Sequence, residues 1–228
     1  MSEIESPESR LHRVNEHEQR NQRLSSPDQR FQERLTRNLS AEALQRRIIE
    51  QETTNLSLAL ERISDTGVLP RVASLIVAAR RRYVSGAAKS FGYAALLSGD
   101  LAVGLSHVTL IDDSIVHTLD VLSEVRDSDV LVAFSFRRYR RSTISLAEQF
   151  VAAGGTVIAI TDHADSPVVA LAAEAVIVST DSASFADSPT AVAAVTHILT
   201  TLSTASAKGA RRRIAVREEF GQALGIYI

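Results

Sequence analysis

Four arginines within five residues, Arg137, Arg138, Arg140 and Arg141, follow the apolar run Val130-Leu131-Val132-Ala133-Phe134. Ser135 precedes them and Ser142-Thr143 follows. A guanidinium can grip a phosphate or carboxylate through two parallel N–H bonds, and hydroxyl groups complete such a cradle. The spacing therefore suits an anion. The competing readings are a solvated basic loop, or salt bridges to carboxylates of a partner subunit. Ser135, directly after the apolar run, is the best single candidate.

A second constellation is Ser85-Gly86-Ala87-Ala88-Lys89-Ser90. Gly86 permits a tight turn, small neighbours let a ligand come close, and Ser90 brings a hydroxyl to a helix start. Ala88 stands where a second glycine might be, so the spacing of a dinucleotide fingerprint is missing. The competing reading is an ordinary turn capped by Ser90. A third stretch, Thr161-Asp162-His163-Ala164-Asp165, could do acid–base work. It reads better as a polar turn before Ser166-Pro167. His117 is isolated and reads as structural. With no cysteine and no histidine pair at helical spacing, neither a metal site nor a thiolate nucleophile is expected.

These residues need elements to hold them. From residue 80 onward, short apolar runs at Arg82–Ser85, His107–Ile111, Val130–Phe134, Val157–Thr161 and Ala175–Ser179 alternate with helical patterns. The helices are predicted at about 90–103, 115–125, 142–153 and 167–172. Such alternation predicts an α/β fold, a doubly wound five-stranded parallel sheet covered on both faces. Ser40 reads as the cap of a long helix over 41–66, followed by a shorter one over 68–78. Two C-terminal helices are predicted over 187–206 and 210–225. In a sheet of flavodoxin-like order the chain reverses between strands one and three, and ligands bind at that crevice. The loops 86–90 and 135–142 would flank it.

Composition sets the outer bounds. The chain has 228 residues, 45% hydrophobic, with a net charge of -2, so no overall field draws it to nucleic acid or anionic membrane. No apolar run reaches the ~18 residues of a membrane helix, and the acidic N-terminus is no secretory signal. The absence of cysteine fits a reducing cytoplasm. Residues 1–40 are rich in Glu, Arg, Gln and Asn and are expected to be mobile or marginally helical. Residues 41–228 are expected to form one domain with an N-terminal helical extension.

The stretch Asp129-Val130-Leu131-Val132-Ala133-Phe134-Ser135-Phe136-Arg137-Arg138-Tyr139 resembles the third strand and ligand loop of a sugar isomerase (SIS) domain, specifically in RpiR/MurR-type transcriptional regulators. Ala159-Ile160-Thr161-Asp162, Asp165-Ser166-Pro167-Val168-Val169-Ala170-Leu171-Ala172 and the closing Leu224-Gly225-Ile226-Tyr227 resemble the same family. The resemblance covers about 45–227. It implies a domain that binds a phosphorylated sugar or amino-sugar derivative and controls an attached helix-turn-helix. Gly86 and Ser90 match the first ligand loop, and Ser135 the first serine of the family's Ser-x-Ser-Gly-x-Thr pattern. Here Arg137 replaces the second serine, Arg138 the glycine and Arg140 the threonine. The expected ligand-binding residues are Gly86, Lys89, Ser90, Ser135, Arg137, Arg138, Arg140 and Ser142. No catalytic residue and no cofactor are expected.

The expected function is ligand sensing by a homo-oligomer. The alternatives are an aldose–ketose sugar-phosphate isomerase and a non-binding dimerisation module. Residues 1–40 carry no tri-helical apolar pattern, so a helix-turn-helix is expected to be missing and no direct DNA contact is expected from this chain alone.

Overall fold

The computed structural model describes residues 26–35 and 40–226. Most of the expected polar segment, 1–25 and 36–39, lies outside the described residues. Within that segment Pro27–Leu35 forms a helix, α1, with Asp28 in its first turn. Ser40 caps the next helix as expected, its Oγ accepting from the Ala43 N–H, and α2 runs Ala41–Thr66. Gly67, in the left-handed region at φ 57°, turns the chain into α3, Val68–Ala78.

Five parallel strands follow: β1 Arg82–Gly86, β2 Val108–Ile111, β3 Val130–Ser135, β4 Thr156–Thr161 and β5 Glu174–Ile177. Their order is β2-β1-β3-β4-β5, the doubly wound order expected. Between them lie α4 Lys89–Gly104, α5 Thr118–Glu124, α6 Arg141–Ala152 and a short 3₁₀ turn at Val169–Leu171. That turn is shorter than the predicted helix over 167–172. Helices α7 Thr190–Ser206 and α8 Ala210–Ala223 close the chain.

Alternation along the strands divides the core in two. Val130, Val132 and Phe134 pack with Ile76, Leu97, Leu101 and Leu199 on one face. Leu131 and Ala133 pack with Leu146, Phe150 and Val157 on the other. Every residue of β1 and β3 is buried, as the continuous apolar runs required. Asp129 locks the entry to β3: its buried carboxylate accepts from Arg80 Nη2 at 2.7 Å and from the N–H groups of Arg81 and Arg126. All the strands thus point their C-terminal ends to one edge, where the loops collect.

Two turns at that edge are tightly constrained. A Cβ on Gly86 would lie 2.5 Å from the Ser90 carbonyl oxygen, because β1 and the start of α4 approach backbone to backbone. Ala88, not Ser90, is the residue before α4, and it makes no side-chain cap. Its backbone sits at φ 55°, ψ -123°, a region suited to glycine. The expectation that Ala88 occupies a glycine position thus has a physical counterpart in the backbone. Ala88→Gly should relieve this strain and raise stability by about 1 kcal/mol. Gly86→Ala should lower it by about 2 kcal/mol. Urea unfolding midpoints of the two variants check both signs.

Candidate functional site

At the C-terminal edge, β1 and β3 are neighbours whose connections leave toward opposite faces. Helices α4 and α6 both begin at a cavity of about 540 Å³ there, and neither has a side-chain cap. The Ser90 and Phe91 N–H groups at the start of α4 are taken up by the Ala87 and Ala88 carbonyls, so it is the N-terminus of α6 that favours an anion at this cavity.

Six of the eight expected binding residues line this cavity: Lys89, Ser90, Ser135, Arg137, Arg138 and Arg140. Arg141 joins them. Gly86 and Ser142 do not. They line a separate, adjoining cavity of about 430 Å³ together with Asp112 and Asp113. The Asp112 carboxylate accepts the N–H groups of Ile115, Val116 and Ser114, which hold its pKa well below the usual carboxylate range. That second cavity carries negative charge and suits an anion less well.

The arginines divide into two groups. The Arg137 side chain is only 6% exposed and sits among three carboxylates. Its Nη2 meets Asp181 Oδ1 at 2.5 Å, and its Nε lies 3.3 Å from Asp162 and 3.6 Å from Asp187. Burial alone would lower its pKa, but Asp181, Asp187 and Asp162 outweigh that and raise it. Arg137 is therefore held inside the protein, as one competing reading of the loop allowed, except that the carboxylates come from its own chain. Arg138, Arg140 and Arg141 form no ion pair among the described residues, and all three are exposed at the cavity. These are the guanidinium groups free to meet a ligand.

Two hydroxyls complete the wall. Ser135 Oγ is buried without a hydrogen-bond partner, as is Tyr93 OH. Tyr93 rests against Phe136 and Phe134, with ring centroids 5.6 and 6.2 Å away. Burial, with Asp187 and Glu52 nearby, pushes its phenol up to about 12, so it stays a neutral donor. Unpartnered buried hydroxyls are uncommon, and a ligand would satisfy them.

Sequence reasoning missed the loop after β5. Thr180, Phe185 and Asp187 line the cavity from this side. The loop is pinned by Asn55 Nδ2 to the Asp181 carbonyl, by Ser188 Oγ to Glu52, and by Lys89 Nζ to the Asp187 carbonyl. Its position at the C-terminal end of a strand was the available signal. His163 and Asp165 pair at 2.5 Å but are nearly half exposed and outside the cavity wall, as a polar turn would be. Among the described residues no cluster of potential metal ligands occurs, and no helix is long and apolar enough to cross a membrane.

The SIS domain family model matches residues 75–207. No curated protein matches the chain in sequence. Among solved structures, the chain is similar to the sugar isomerase domain of the RpiR transcription factor from Sphaerobacter thermophilus. That match has a TM-score of 0.69 at 21% identity, over 77% of this chain and 96% of that one. It is similar to the Vibrio vulnificus NanR protein complexed with ManNAc-6P, TM-score 0.63 at 15% identity, over 78% and 69% of the two chains. A hypothetical protein of Methanococcus jannaschii, inferred to be a 3-hexulose-6-phosphate isomerase, matches with TM-score 0.57 at 15% identity, over 74% and 96%.

The division of labour among the arginines has a direct test. Arg137→Met should strand the Asp162 and Asp181 carboxylates, leave Asp187 to Arg30 alone, and cost about 2–3 kcal/mol in urea unfolding, discounted for the exposure of Asp181. Arg138→Met should stay within about 0.5 kcal/mol of the parent protein.

Proposed function

The chain belongs to the SIS domain family, and from that premise we propose that it is a ligand-sensing domain of the RpiR/MurR regulator type. It binds a phosphorylated or acidic carbohydrate derivative in the cavity between β1 and β3 without turning it over. The observation that carries this reading is the convergence on one cavity of the uncapped α6 N-terminus, three unpaired arginines and the partnerless Ser135 hydroxyl. The phosphate is bound by the α6 N–H groups with Arg138, Arg140 and Arg141 around it. The sugar body faces Ser135 and Tyr93. NanR, complexed with ManNAc-6P, supports the ligand class.

The rival reading, a sugar-phosphate isomerase, has the Methanococcus jannaschii likeness in its favour, which at 15% identity weighs no more and no less than the NanR likeness. An isomerase needs a base beside the reacting carbons. Among the described residues Asp187 is the only carboxylate on the cavity wall, and it is already paired with arginine. The reading includes a homo-oligomer in the cytoplasm. The oligomer is supported by Ile214, Phe220, Leu224 and Ile226, which are exposed along and just beyond α8.

Calorimetric titration with sugar phosphates, ManNAc-6P included, should find a binder. Ser135→Ala and Arg138→Ala should each weaken it by roughly 10- to 100-fold, the worth of one charge-assisted contact. The same panel should show no aldose–ketose conversion. A panel on which nothing binds, or turnover lost in His163→Ala, overturns the reading. Light scattering should give more than one chain per particle, and a monomer would remove the oligomer from it.

A further inference from the structure

We propose that α1 completes the anion site: Arg30 is a ligand-binding residue, and docking of α1 is linked to occupancy of the cavity. The inference rests on the reading of the cavity as an anion site and adds to it an element from outside residues 75–207.

Helix α1 lies on the cavity through three residues. Pro27 and Arg30 stand on its wall. Phe31 packs edge-on against Phe185 of the loop after β5, with centroids 6.2 Å apart. Arg30 is the unusual one. It is 3% exposed in an otherwise polar helix, and its Nη1 lies 2.5 Å from Asp187 Oδ1. Its Nε, like those of Arg80 and Arg137, is buried with no hydrogen-bond partner among the described residues. A charged side chain so deeply buried is rarely left part-satisfied.

Charge counting explains what it awaits. Asp187 is shared between Arg30 and Arg137, so one carboxylate faces two guanidinium groups. Arg137 has Asp162 and Asp181 besides, whereas Arg30 has no other carboxylate among the described residues. Together Arg30 and Arg137 face three carboxylates, so the cations of the cavity wall without a carboxylate among the described residues are Lys89, Arg138, Arg140 and Arg141. A phosphate or carboxylate of the ligand restores the balance, and Arg30 gains a second anionic partner.

The consequence reaches beyond affinity. A nine-residue helix is too short to persist on its own, so α1 depends on the contacts of Arg30 and Phe31. Any ligand that contacts Arg30 strengthens that docking, and by reciprocity docked α1 strengthens ligand binding. The segment before α1 is thereby told whether the cavity is filled.

The test uses the full chain with inorganic phosphate and ManNAc-6P as probes, read by calorimetry and by hydrogen exchange of the amides of 27–35. Binding of either probe should slow exchange there. Arg30→Met should weaken binding at least about tenfold and abolish the protection. Arg30→Lys should retain part of both. Phe31→Ser changes no charge, and should still lower affinity several-fold; it carries the test if Arg30→Met does not fold. Binding that is indifferent to Arg30→Met and Phe31→Ser, or α1 exchange unchanged or faster on binding, overturns this proposal and leaves the cavity reading intact. If neither probe binds the parent chain, the cavity reading fails and this proposal fails with it.

Discussion

The site depends on a buried guanidinium held by three carboxylates. Arg137 lies at the end of β3, Asp162 at the end of β4, and Asp181 and Asp187 in the loop after β5. No apolar contact could tie these segments so firmly at the edge of a sheet, where hydrophobic residues run out and loops begin. Burying a charge is costly unless partners surround it, so the cage forms whole or not at all. Once formed, it fixes how far the loop after β5 stands from β3, and hence the width of the cavity. Asn55 and Glu52 on α2 brace the same loop from behind.

The cage also decides which charges remain free. A loop of four arginines has too many cations to face one ligand anion, since like charges repel. Withdrawing Arg137 into carboxylates leaves Arg138, Arg140 and Arg141 at the cavity, beside the α6 N-terminus, whose partial charge has the same sign. The result is a compact positive region in a protein whose net charge is -2. Local field and global charge are thus decoupled.

The sheet was legible because its signals are local. Continuous apolar runs such as Val130–Phe134 announce strands buried on both faces, and Ser40 marks a helix start by chemistry that neighbours do not alter. The cavity was legible in outline because strand order places the loops after β1 and β3 together. What stayed hidden is long-range. Nothing near Arg137 in sequence distinguishes it from Arg138; the difference lies in Asp181 and Asp187, more than forty residues away. Arg30 lies further still from Asp187 and is surrounded in sequence by balanced charges that read as solvated. Gly86 and Ser142 were assigned from loop membership, and a loop has two sides.

The backbone bears on whether the altered loop is a ligand site or a vestige of one. In the Ser-x-Ser-Gly-x-Thr pattern that the loop resembles, Arg138 stands at the glycine, and Ala88 stands where a second glycine might serve the first loop. Both keep a positive φ, 60° at Arg138 and 55° at Ala88. Side chains disfavour that region by about 1–3 kcal/mol each, so a loop free to drift would relax out of it. The backbone thus follows a glycine-like path at both turns, while Arg137 and Arg140 put guanidinium groups where the pattern has hydroxyls. Positive φ at two facing turns around a cavity with an orphan serine hydroxyl fits the proposed anion site, although His107 and Asp113 hold the same φ range away from that cavity.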